Sequence, residues 1–164
     1  MNLDSQQIEI IGKQLVIANL LAANLEVAVP IRDHGIDLIA FQDRAEDGLF
    51  KACPLQLKTA SDAIFGLDSK YQHFTGLRIV FVWNAKEPSD ARLFALTYDE
   101  AEKVMAKMQY DQTGSWAKGR YITTRPSEKL REMLGQFELK SPSEWPTRLG
   151  MSDASNPPKP PESS

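Results

Sequence analysis

The apolar positions of this chain recur with two periods, one helical and one extended. Between Asp4 and Asn24, Ile8, Ile11, Leu15, Ala18 and Ala22, with Leu25 just beyond, return every three or four residues, which predicts a helix with one apolar face. Ile10, Ile17, Leu20 and Leu21 widen that face, so the helix is expected to be largely buried. Asp4 and Gln7 have the spacing of a capping box at its start, and Asn24 is a left-handed stop at its end. Strands are expected over Glu26 to Pro30, Ile36 to Gln42 and Leu49 to Lys58, with a polar turn over 43–48. Pro54 cannot donate to a ladder, so its end of the third strand is expected at an edge or a bulge. Residues 68–75 read as a short helix or loop. Leu77 to Trp83 is β-branched and aromatic, the pattern of a central strand covered on both faces. Arg92 to Thr97 is a further strand, and Thr97 with Glu100 caps a helix over Tyr98 to Met108. A late strand over Tyr121 to Thr124 and a helix over Pro126 to Phe137 complete the pattern. The order implies an α/β fold in which a mixed sheet is flanked by helices.

Residues 1–140 are read as a single domain. Ser141 to Pro146 is a turn or a short docking segment, and Ser152 to Ser164, with Pro157, Pro158, Pro160 and Pro161, is expected to be disordered. The stretch 141–164 is therefore taken as a Pro/Ser-rich tail. No apolar run reaches the roughly 18 residues of a membrane span. The first residues carry no basic region of the kind that begins a secretory leader. Cys53 is the only cysteine, so no internal disulfide can form, and its apolar strand makes it a small core residue. Together these favour the cytoplasm.

The net charge of −3 is unevenly spread. Residues 1–50 hold 3 Lys/Arg against 8 Asp/Glu (−5), and residues 51–140 hold 14 against 11 (+3). A mildly acidic chain is not a strong non-specific nucleic-acid binder, although a local basic groove is compatible with DNA.

Candidate chemistry concentrates in Val29-Pro30-Ile31-Arg32-Asp33-His34-Gly35-Ile36-Asp37-Leu38-Ile39-Ala40 and in Leu55-Gln56-Leu57-Lys58-Thr59. Asp37 is a lone acid in an apolar strand, and burying an acid is unfavourable unless it is paired. Along the next strand Gln56 and Lys58 point to one side, with Leu55 and Leu57 on the other. If the two strands are neighbours, a carboxylate, an amide carbonyl and an ammonium converge, a set suited to a divalent metal beside a phosphate. The competing readings are a solvent-facing strand end and a structural Asp37–Lys58 pair. The Leu57 backbone carbonyl can add another oxygen ligand of the kind Mg²⁺ prefers.

These pieces, in this order and spacing, resemble the PD-(D/E)XK nuclease superfamily, and within it the branch whose third motif begins with Gln. The resemblance covers about Ile8 to Trp83. It implies a restriction-endonuclease-like fold and a DNA endonuclease dependent on Mg²⁺ or Mn²⁺. It further implies Asp37 as principal metal ligand, Gln56 as the second, and Lys58 as the residue that orients the nucleophile and stabilises charge. Members usually carry a Glu on the first helix. By spacing, that position falls at Lys13 or Gln14, neither of them acidic, with Glu9 one turn earlier; Glu9 or Gln14 is taken to complete the shell. Such small domains often act as dimers.

Two basic-aromatic stretches follow, one with Lys70, Tyr71, His73 and Phe74, the other running Ser115 to Tyr121 with Arg125 beyond. Their aromatic residues are expected chiefly in the core, and Lys70, Lys118, Arg120 and Arg125 are the candidate DNA contacts. The alternatives are a non-enzymatic member of the fold that binds nucleic acid or a protein, and a regulatory or immunity-type protein engaging its partner through 110–137. One cysteine and two histidines give no zinc-site spacing.

Overall fold

The computed structural model of the chain describes residues 3–32, 34–44 and 48–152. Asp33, residues 45–47 of the expected polar turn, and 153–164 of the proline-rich end lie outside the described residues.

Helix α1 (Ser5–Ala22) starts on a full capping box: the Gln7 amide N–H donates to Asp4 Oδ1 at 2.8 Å and the Asp4 N–H to Gln7 Oε1 at 2.9 Å. Asn24 beyond its end has φ 57°, the left-handed stop expected there. Strand β1 (Glu26–Ala28) leads to β2 (Leu38–Arg44) and β3 (Leu49–Thr59), which pair antiparallel with Leu38 opposite Leu55 and Ala40 opposite Cys53. Strand β4 (Phe65–Asp68) and a 3₁₀ turn (Ser69–His73) precede β5 (Arg78–Trp83), which lies parallel to β3. Then come β6 (Arg92–Thr97), α2 (Tyr98–Lys107), α3 (Gly114–Ala117), β7 (Arg120–Thr123), α4 (Glu128–Leu134), β8 (Glu138–Leu139) and α5 (Trp145–Arg148). The main sheet has the order β1-β2-β3-β5-β6-β8, and β4 pairs with β7 in a small second sheet. This is the expected mixed α/β arrangement.

Alternation along the central strands separates two cores. Val80 and Val82 of β5, with Ala95 of β6, face α1 and α5 and pack with Val16, Leu20 and Leu55. Ile79, Phe81 and Trp83, with Phe94 and Leu96, face the other way, toward β4, α2 and α4. Both faces of β5 are thus covered, as its unbroken apolar run requires. Pro54 falls in the part of β3 that pairs only with β2, because pairing to β5 begins at Leu55. There it stands opposite Ile39 with no strand on its other side, the edge position expected of a proline.

Several elements differ from the sequence reading. Strand β2 begins at Leu38, so Asp37 stands at its entry rather than within it. Helix α4 begins after Ser127, whose Oγ accepts from the Leu130 N–H at 3.3 Å, so Pro126 precedes the cap. The packed chain also continues past residue 140. Trp145 is 0% exposed, and Leu149 and Met151 join the same core. Arg148 fastens this segment: its Nε donates to the Ala95 carbonyl and its guanidinium to Glu100 Oε2, each at 2.6 Å. Cys53 is buried as expected, and burial pushes its thiol up to about 11 against the opposing pull of Arg78. Among the described residues no helix is long and apolar enough to cross a membrane.

Candidate metal and phosphate site

The site forms where β2 begins and β3 ends. The Asp37 N–H donates to the Leu55 carbonyl at 2.8 Å, just before the first β2–β3 register pair of Leu38 with Leu55, and holds Asp37 beside Gln56 and Leu57. Asp37 Oδ2 then accepts from the Leu57 N–H at 2.6 Å and from Gln56 Nε2 at 2.7 Å. The same Nε2 donates to the Leu57 carbonyl at 3.1 Å. Gln56 Oε1 is buried with no hydrogen-bond partner among the described residues. An orphaned buried acceptor is unusual, because its desolvation is left uncompensated.

Gly35 prepares this corner. Its φ of +91° lies in the left-handed region, and a Cβ there would stand 3.1 Å from the Tyr71 ring. Gly12 does the same for the helix. A Cβ at Gly12 would overlap the Thr59 side chain, so its absence lets α1 pack directly on the end of β3. Glu9 and Lys13, one turn before and one residue after, consequently overhang the cavity. Gly12→Leu is expected to destabilise the fold by about 1–3 kcal/mol and to displace this wall, measurable as a lowered thermal midpoint.

The cavity has a volume of about 420 Å³. Asp37, Gln56, Leu57, Lys58 and Thr59 form its floor, with Glu9, Ile10 and Lys13 of α1 on one wall and Arg120 and Ile122 of β7, beside Ile64, on the other. Lys58 is half-buried, and burial holds its ammonium below the usual lysine range. Repulsion from Arg120 and Lys70 acts in the same direction, while Asp68 and Asp37 oppose it. The Lys58 and Lys70 ammonium groups lie 5.7 and 5.0 Å from the centre of the buried Tyr71 ring.

The two basic-aromatic stretches meet through the small sheet, where Asp68 of β4 is the register partner of Arg120 of β7. The Ser69 N–H donates to the Gly119 carbonyl at 2.8 Å, drawing the α3–β7 turn onto the 3₁₀ turn. Of the residues singled out from the sequence, Asp37, Gln56, Leu57, Lys58, Glu9 and Arg120 line one cavity. Gln14 does not; it is exposed, and its neighbour Lys13 lines the cavity instead, because a helix turns about 100° per residue. Lys70 borders the site through Tyr71 and an ion pair to Asp68 at 3.8 Å, whereas Lys118 and Arg125 are exposed outside it. Ile10, Ile64 and Ile122 carried no signal in the sequence, since each reads as an ordinary apolar residue. Tyr71 and Trp116 pack with the core of the α2 face, as expected of their aromatic rings.

The donor set suits a hard cation. Gln56 now places an N–H between a carboxylate oxygen and a backbone carbonyl, where its positive end satisfies both. A carboxamide has nearly the same shape turned half over. In that orientation its oxygen would join those of Asp37 and Leu57, and such a group of oxygens repels unless a cation sits among them. No cluster of three or more His, Cys, Asp or Glu side chains occurs among the described residues, so a metal held here would rely on amide and backbone oxygens for part of its shell. No family model, curated protein or solved structure matches the chain.

Proposed function

We propose that this chain is a metal-dependent endonuclease that hydrolyses DNA phosphodiester bonds. The observation that carries the reading is the meeting of Asp37, Gln56, the Leu57 carbonyl and Lys58 at one cavity that also holds Lys13 and Arg120. Asp37, Gln56 and Leu57 would hold Mg²⁺ or Mn²⁺, with Glu9 the remaining carboxylate of the cavity. When bound, such an ion polarises a phosphate and lowers the pKa of a coordinated water.

The chain's own groups supply the rest. Lys58 stands beside the ligands on the same strand face and stabilises charge on the scissile phosphate. Lys13 and Arg120 approach from opposite walls and fix the flanking phosphates. Asp37 is oriented before substrate arrives, because Leu57 and Gln56 both donate to it.

Incubation with plasmid and short oligonucleotides in Mg²⁺ or Mn²⁺ tests the reading. Cleavage is expected, with loss in EDTA and recovery when the metal is restored. Lys58→Met is expected to reduce cleavage by about 100-fold or more. The same substitution removes a charge that burial disfavours, so the thermal midpoint should stay level or rise. Intact nucleic acid with either metal would sink the enzyme.

A second reading draws support from Lys13. The wall position where the resemblance calls for an acid carries a cation, which suits a module that grips nucleic acid without cutting it. Binding without cleavage in the same experiment would favour that module.

A further inference from the structure

We infer that the cavity takes a phosphodiester link in an unpaired stretch of DNA rather than in an intact duplex; this deepens the nuclease reading and rests on it. The observation is the composition of the two walls. On α1, Ile10 and Lys13 are three residues apart and share a face toward the cavity. On β7, Arg120 and Ile122 are two residues apart and share a face toward the same cavity. Each wall thus presents one cation and one exposed isoleucine, with the half-buried Ile64 beside Ile122. Ile10 is 60% exposed and Ile122 is 38% exposed, so neither is absorbed by a core.

A duplex presents phosphates and sugars to a protein that approaches its backbone, and cationic or hydrogen-bonding walls serve that purpose. Exposed aliphatic side chains gain nothing from phosphate. They gain from the faces of bases, which become available only when the stack is opened. An unpaired strand offers charge and apolar surface at short alternate intervals along its length. Lys13 and Arg120 would take its phosphates while Ile10 and Ile122 receive the bases on either side. Glu9, the carboxylate of the α1 wall, would work against binding without a metal.

The test compares a short labelled single strand with its duplex at one fixed salt concentration, in Ca²⁺ for binding and in Mg²⁺ for cleavage. The full chain is expected to bind and cut the single strand at least about 10-fold better than the duplex. In Ile10→Ser/Ile122→Ser, that preference is expected to shrink by about 10-fold, as loss of apolar contact to two bases implies. The thermal midpoint should change little, because both side chains are exposed; Ile10→Leu/Ile122→Leu should retain the preference. Equal or better use of the duplex overturns this inference and leaves the nuclease standing. A single-strand preference unaltered by the serine pair overturns it too. Failure to bind or cut either form overturns the nuclease reading along with it.

Discussion

Asp37→Asn is expected to lower DNA cleavage by about 100-fold or more while leaving the fold within about 1 kcal/mol of its original stability. The substitution separates two tasks that one carboxylate performs. Structurally, Asp37 Oδ2 accepts from the Leu57 N–H at 2.6 Å and from Gln56 Nε2 at 2.7 Å. Both donors meet the same oxygen, so an asparagine carbonyl in that place keeps both hydrogen bonds without any turn of Gln56. Electrostatically, the change removes a full negative charge from the proposed ligand set, which leaves neutral oxygens and the Glu9 carboxylate to hold a divalent ion. Asp37→Ala is the harsher variant. It leaves the Leu57 N–H without its acceptor, a loss of about 1–3 kcal/mol. Cleavage assays beside thermal melts decide the matter. An Asn variant that cuts as well as the original protein would remove Asp37 from the chemistry.

Trp145→Ala is expected to destabilise the fold by about 3–5 kcal/mol, close to the whole margin of many small domains. Trp145 is 0% exposed and packs in the core shared by α1 and the sheet, with Val16, Leu20 and Leu55. Removing the indole opens a large cavity there. Trp145→Phe should be far milder, because much of the volume remains and the buried indole N–H has no hydrogen-bond partner among the described residues. Ending the chain at residue 140 would remove Trp145, Leu149, Met151 and the Arg148 clamp together, and that shortened chain is expected not to melt cooperatively. Calorimetry on the three variants checks the order. Since α1 also carries Glu9 and Lys13, loosening this core is expected to weaken the cavity wall along with the fold.

The central framework was legible because its signals are local. Leu77 to Trp83 is too apolar for a one-sided strand, and both of its faces are indeed covered. Thr97 with Glu100, and Asp4 with Gln7, state their helix starts within four residues. Gln56 and Lys58 announced a shared face through their spacing alone. Strand β4 escaped notice because Gly66 and Asp68, half of its four residues, are poor strand formers. Its pairing with β7 depends on residues more than fifty positions away. Trp145 was read within a tail because its neighbours are Ser, Pro and Glu, and only the open side of the α1 core shows where an indole fits.

Sequence alone determined the first helix, the central strands, the capped helix α2, and the short-range pattern of an acid followed by a Gln-x-Lys strand, because each follows from side-chain chemistry at short spacing. The three-dimensional packing alone decided what surrounds that group. Gly12 admits α1 against Thr59, so that Lys13 and not Gln14 faces the cavity, and the β4–β7 pair brings Arg120 and Ile122 across from it. Those contacts join segments far apart in the chain, and local propensity carries no information about which distant surfaces will meet.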